Sequence, residues 1–161
     1  MKRIFLLLLL IPIFVFANEI PQADLVVIKK NEKRLYLYKG NQVIKVYRVA
    51  FGSNPKGHKI QEGDEKTPEG KYFLDYKNAD SAFYKSIHIS YPNDEDKKRA
   101  RKKGVNPGGQ IMIHGQKNGF GFFGFITQFF NWTDGCIALK NSEMDEVWSS
   151  VKVNTPIVIE P

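Results

Sequence analysis

From residue 24 onward, apolar and polar side chains alternate in the short runs expected of strands with one face on a core. DLVVI (24–28) and RLYLY (34–38) are such runs, rich in β-branched and aromatic residues. KGNQ (39–42) is a turn signal, so VIKVYRVAF (43–51) reads as the hairpin partner of the second run. KYFLDY (71–76), SIHIS (86–90), QIMIH (110–114) and TPIVIE (155–160) extend the strand pattern to the end of the chain. Between residues 52 and 70 Gly, Pro and charged residues replace the alternation. A loop of that length implies function or mobility.

Two segments predict helices. NDEDKKRARKKG (93–104) carries acids in its first turn, bases in its last and Gly104 at its stop, an order that complements the helix dipole. It has almost no apolar face, which fits a solvated surface helix better than a contact with an anionic polymer. NSEMDEVWSSV (141–151) places Met144, Val147, Trp148 and Val151 on one side, with Ser142 and Asp145 as a candidate cap pair. GFGFFGFITQFF (119–130) follows neither period. It is open to three readings: a buried strand, a flexible apolar lid beside a site, or a membrane contact. Without repeats or a linker, the pattern predicts one mainly β domain with added helices, an α+β fold.

The first residues stand apart. In MKRIFLLLLLIPIFVFANEI, Lys2 and Arg3 precede an apolar run from Ile4 to Phe16, and Val15-Phe16-Ala17 has the form of a cleavage site. Residues 1–17 are expected to be a signal peptide, with an uncleaved anchor as the alternative; the run falls short of the roughly 20 residues of a spanning helix. The expected location is therefore the periplasm or cell envelope. Removing Lys2 and Arg3 from the chain's +7 leaves about +5, which suits anionic envelope polymers or a peripheral membrane contact. Nucleic acid is disfavoured, because the aromatics follow no RNA-binding pattern and no basic helix reads as entering a groove.

Cys136, in NWTDGCIALKN (131–141), is the single cysteine. It cannot form an internal disulfide, so it is inert filler, half of an intermolecular bridge, or a reagent. A nucleophilic thiol needs a base or a lowered pKa. His58 lies in the charged loop, and His88 lies mid-strand, where a structural role is expected. His114 ends a strand beside Gly115, a good position for a fixed base. Gly135 before Cys136 leaves backbone N–H groups uncovered, as oxyanion stabilisation requires. One Cys and three scattered His lack zinc-motif spacing, so no metal and no cofactor is expected.

IMIHG (111–115) followed by TDGCIAL (133–139) and Asn141 resembles the YkuD-type L,D-transpeptidase catalytic domain family. The likeness also takes in VYRVAFGSNPKGHK (46–59), EGDEKTPEGKY (62–72), HISYPN (88–93) and PGGQIMIHG (107–115), and so spans residues 24–160. It implies a β-rich, sandwich-like domain with edge helices that performs cysteine acyl transfer on peptidoglycan stem peptides. It further implies that Cys136 is the nucleophile, His114 its base, and the Gly115 carbonyl the group that orients the imidazole. Gly135 and Cys136 would supply oxyanion N–H groups, and Thr133, Asp134 and Asn141 would bind substrate.

Asp134 and Ala138 depart from the His and the Arg or Asn that many members carry there. A substrate carboxylate would then find its counter-charge in the basic loop at 56–71. The arrangement is similar to a subgroup that includes peptidoglycan–lipoprotein amidases, which adds an envelope lipoprotein to the expected partners. Net hydrolysis, as a carboxypeptidase or amidase, is the alternative reading of the chemistry. A non-catalytic envelope-binding module is the alternative of another class.

Overall fold

Alternating burial along β1 (Leu25–Lys29), β2 (Arg34–Lys39) and β3 (Gln42–Arg48) builds an antiparallel meander in the computed structural model, which describes residues 20–161. The expected signal peptide lies outside the described residues. On β2, Leu35 and Leu37 are fully buried while Tyr36 and Tyr38 are half-buried, as the two-residue period requires. Gly40, at φ 57°, supplies the left-handed turn between β2 and β3.

The rest of the sheet is assembled out of chain order. The last strand, β8 (Thr155–Glu160), inserts between β1, to which it is parallel, and β4 (Gly70–Ser81), to which it is antiparallel. β5 (Tyr84–Ile89), β6 (Met112–His114) and β7 (Ile137–Ala138) complete the order β3-β2-β1-β8-β4-β5-β6-β7. Past β3 the chain crosses to the opposite edge. Ala50 and Ala138 exchange backbone hydrogen bonds of 3.0 and 2.9 Å, and Thr133 and Ser53 add two of 3.1 Å to Phe51 and Thr133 carbonyls. The sheet thereby curls until its edges meet, around a core that includes Ile28, Leu35, Phe51, Leu74, Ile113, Ile137 and Ile157.

Helix α1 (Asp94–Lys103) follows its sequence signals closely. Asn93 and Asp96 form a capping box, and Gly104 closes the helix at φ 65°. Helix α3 (Asn141–Ser150) buries Met144, Val147 and Val151 in the core with Trp148 beside them, as its spacing predicted. Its expected cap pair is corrected. The Glu143 carboxylate accepts the Lys140 N–H at 3.2 Å, whereas Asp145 accepts from the Tyr84 hydroxyl and the Lys85 ammonium. The helix begins two residues earlier than a Ser142 cap allows, so Asp145 falls past the first turn and is free to meet β5.

Two further expectations are revised. β4 runs on to Ser81 because the polar NADS stretch pairs with β5, Asn78 opposite Ser86 and Ser81 opposite Tyr84. Residues 119–130 are not a buried strand. They form a 3₁₀ turn (Gly121–Phe123) and one helical turn, α2 (Gly124–Thr127), with their phenylalanines exposed.

The 52–70 loop is tied to the domain by ion pairs and hydrogen bonds. The buried Lys30 ammonium contacts the Glu69 carboxylate at 2.7 Å and the Gly57 carbonyl at 2.8 Å, and Lys59 holds Asp64 at 2.8 Å. His58 Nε2 sits 3.1 Å from Asp96 of α1, tying the loop to that helix. Burial pushes the Lys30 pKa down while Glu69 opposes it, so this clasp relies on both partners being present.

Met144 is fully buried under the sheet. Met144→Ala is expected to cost about 2–5 kcal/mol through the cavity it leaves, which lowers the melting midpoint by roughly 5–15 °C. The exposed Lys98→Ala is expected to leave it unchanged. Calorimetry of both variants checks the core assignment, and equal midpoints would contradict it.

Candidate active site

The site follows from one short parallel pairing. Ile113 is opposite Ile137 and His114 opposite Ala138, so Cys136 lies across from Met112. Side chains alternate along a strand, so Met112 and His114 share a face with Cys136 and Ala138. Cys136 and His114 therefore stand on one face of neighbouring strands, two positions out of register. Both line a cavity of about 290 Å³ whose walls include Asn78, Phe83, Gln110, Trp132 and Asp134.

His114 is 4% exposed, and its Nδ1 lies 2.6 Å from the Gly115 carbonyl. A carbonyl only accepts, so Nδ1 carries the proton and Nε2 presents its lone pair. Phe83 and Trp132 pack around the ring at centroid distances of 4.8 and 5.7 Å. This burial depresses the imidazole pKa to about 4, although the Gly115 carbonyl favours the charged form. Burial pushes the Cys136 thiol up, and the Asp134 carboxylate adds to that rise. The Met112 N–H, 3.4 Å from Sγ, and the Lys59 charge act in the opposite direction without prevailing. The resting pair is thus a neutral thiol beside a neutral imidazole.

The turn before Cys136 is held by the 52–70 loop. Gly135 has φ 120°, and a Cβ there would meet the Lys66 carbonyl oxygen at 2.5 Å. The Thr67 hydroxyl donates to the Gly135 carbonyl at 2.9 Å. Gly52 packs so closely beneath that its Cβ would fall 2.8 Å from Gly135 N. Glycine is required at 135 both for the left-handed φ and for this approach.

The other expected residues divide. Asp134 is exposed and lines the cavity. Thr133 also borders the cavity, but its hydroxyl donates to the Cys136 carbonyl at 2.7 Å and accepts the Gly135 N–H at 3.3 Å. It shapes the turn, and the Gly135 amide is engaged there. Asn141 is outside the cavity lining: its Oδ1 accepts the Gln116 N–H at 2.8 Å and packs against Gly115, bracing the strand end that bears His114. Among the described residues lining the cavity there is no Lys or Arg. The expected counter-charge from the basic loop is not met there, because Lys59 is spent on Asp64 and the Gln61 carbonyl. His88 pairs with Asp75 at 2.6 Å and stacks on Tyr76, and His58 serves the loop clasp.

Sequence reasoning passed over Phe83, Gln110 and Trp132. The Gln110 carbonyl lies 3.5 Å from Sγ, and Gln110 itself adopts φ 56° after two glycines. That glycine pair was the legible signal, whereas Phe83 reaches the site only through the β4–β5 hairpin. No residue of 119–130 lines the cavity; Phe83 and Trp132 give the aromatic cover that the lid reading assigned to that segment.

A family model described as the L,D-transpeptidase catalytic domain, YkuD, matches residues 23–159. The candidate L,D-transpeptidase YafK of Escherichia coli (strain K12) is 30% identical over 128 residues, 76% of this chain and 44% of YafK. The helical cell shape determining protein Pgp2 from Campylobacter jejuni aligns with a TM-score of 0.64 at 27% identity, covering 87% of this chain and 48% of Pgp2. An L,D-transpeptidase from Mycobacterium smegmatis shares the fold at a TM-score of 0.57 and 13% identity, over 86% of this chain and 59% of that one. The chain spans about half or less of the length of YafK and of Pgp2.

Both pKa displacements favour the uncharged forms, so the thiolate is expected to be absent at pH 7. Thiolate absorbance near 240 nm should emerge only above the ordinary thiol range of about 8.5, and iodoacetamide should alkylate Cys136 slowly at neutrality. With one cysteine in the chain the signal has a single source. A full thiolate signal at pH 7 would contradict the neutral pair.

Proposed function

Because the chain belongs to the L,D-transpeptidase catalytic domain family, we propose that it carries out cysteine-dependent acyl transfer on peptidoglycan stem peptides in the cell envelope. The observation that carries this reading is the thiol of Cys136 and the free-Nε2 imidazole of His114 on one sheet face, opening on one cavity. Sγ attacks the carbonyl carbon of a bond between an L-centre and a D-residue while its proton passes to Nε2. The imidazolium returns that proton to the departing amine, leaving a thioester on Cys136. An acceptor amine then attacks the thioester and gives its proton to His114, and the imidazolium passes it to the departing Cys136 sulfur as the new amide forms.

Starting from neutral groups suits this sequence, since charge develops only as the carbonyl is attacked. The oxyanion donor is the Cys136 amide, because the Gly135 N–H is committed to Thr133. Gly115 keeps the imidazole in the productive tautomer. Asp134 stands at the cavity wall, where it meets a cationic group of the substrate or acceptor. The likeness to Pgp2 extends the reading to a part in cell shape. Nothing in the cavity or the relatives favours a lipoprotein over a stem peptide as partner.

Net hydrolysis is the second reading, and one observation favours it. Cys136 is only half-buried in spite of Phe83 and Trp132, so water has a path to the acyl-enzyme.

Residues 20–161 incubated with purified tetrapeptide muropeptides are expected to yield cross-linked dimers by mass. Tripeptide without dimer would assign net hydrolysis, and unchanged substrate would overturn the catalytic reading. Cys136→Ala is expected to abolish turnover and His114→Ala to lower it by about 10²–10⁴, while His88→Ala keeps most of it. A folded His88→Ala protein as inactive as Cys136→Ala would remove His114 from its role.

A further inference from the structure

The segment 119–130 is amphipathic in the reverse sense to a globular element. Its inner side is polar. Buried Gln116 accepts from the Thr127 hydroxyl at 2.6 Å and donates to the Leu139 carbonyl at 2.6 Å. Buried Gln128 donates to the Ala138 carbonyl at 3.2 Å, and Gly124 packs against Gln116 and Lys140. Its outer side is apolar. Phe120, Phe122, Phe123, Phe125, Phe129 and Phe130 are each 48–82% exposed. A helical turn of a water-soluble domain buries phenylalanine and exposes glutamine. Here polar anchors fasten the segment to the sheet and leave one continuous apolar surface facing outward.

The charge around this surface selects among apolar surroundings. From Lys97 to Thr133 the chain contains no Asp or Glu. The Arg48 guanidinium lies over the Phe129 ring at 4.5 Å and donates to the Gln128 carbonyl at 3.2 Å. Lys117 is exposed where the segment begins, and its carbonyl accepts the Phe120 N–H at 2.9 Å. Lys140, beside Gly124, is balanced by Glu143 at 3.2 Å, so Arg48 and Lys117 set the sign of the rim. Phenylalanines flanked by cations match a bilayer interface that carries anionic headgroups.

We propose that the 119–130 knob is a membrane-docking surface, seating its phenylalanines among the acyl chains of an anionic phospholipid leaflet with Arg48 and Lys117 at the headgroups. This surface is separate from the cavity lining, so it can be occupied while Cys136 remains open to substrate. Docking holds the acyl-transfer site at a fixed height over the membrane.

Residues 20–161 contain all eight strands and the whole core cluster, and are used without residues 1–19. They are floated with vesicles of phosphatidylglycerol and phosphatidylethanolamine, and separately with phosphatidylcholine vesicles. Binding to the anionic vesicles is expected to be at least tenfold tighter than to the neutral ones and to weaken with salt. F122S/F125S/F130S is expected to need at least tenfold more lipid for half-binding. K117Q is expected to weaken binding several-fold at low salt. Melting midpoints and Cys136 alkylation rates should match those of the parent, excluding misfolding. Absence of flotation, equal binding to neutral vesicles, or an unaffected triple variant would overturn the proposal. So would sedimentation revealing a dimer that the triple variant dissolves, which would assign the surface to a second copy.

Discussion

The two-residue parallel pairing of β6 with β7 is the constraint on which the site depends. It sets His114 opposite Ala138 and so brings Cys136 and His114 to one face. A slip of one residue would turn the thiol to the other side of the sheet. So short a ladder has little stability of its own. It is secured on its far side by the Ala50–Ala138 bridge, which also closes the curled sheet. The same contact that closes the core therefore fixes the register of the chemistry.

The long 52–70 loop has its explanation in this arrangement. It is fastened by Lys30, Lys59 and His58 and in turn supports the Gly135 turn through Thr67 and the Lys66 carbonyl. Charged residues that appear available for substrate are consumed in placing backbone against backbone. The cavity is left with one carboxylate, Asp134, and no cation among its described lining residues. An uncharged Cys136–His114 pair is the electrostatic consequence of aromatic walls around a site so poor in ionic partners.

The aromatic segment between the two strands takes no part in those walls. Its Gln128 faces inward and its phenylalanines outward, the reverse of an element packed on the core. The chain between His114 and Cys136 thus serves two ends. One end delivers Trp132 to the cavity, and the middle presents an apolar surface away from it.

Local order was legible in the sequence wherever one period or one cap decides the outcome. The meander of β1 to β3, the α1 capping residues and the apolar stripe of α3 all follow from neighbours a few residues apart. Tertiary structure alone decided the rest. β8 enters the centre of the sheet because β1 and β4 pair with its two edges while Thr155, Ile157 and Ile159 face the core, a choice its own six residues do not encode. NADS became strand only because β5 lay alongside to pair with it. The roles of Thr133 and Asn141 were settled by hydrogen bonds to a turn and a strand end. Phe83 reached His114 through a hairpin tip distant in the chain. Periodicity reports which face of an element is apolar; which partner covers that face, and which polar groups are consumed in holding it, depends on contacts between residues that the order of the chain does not bring together.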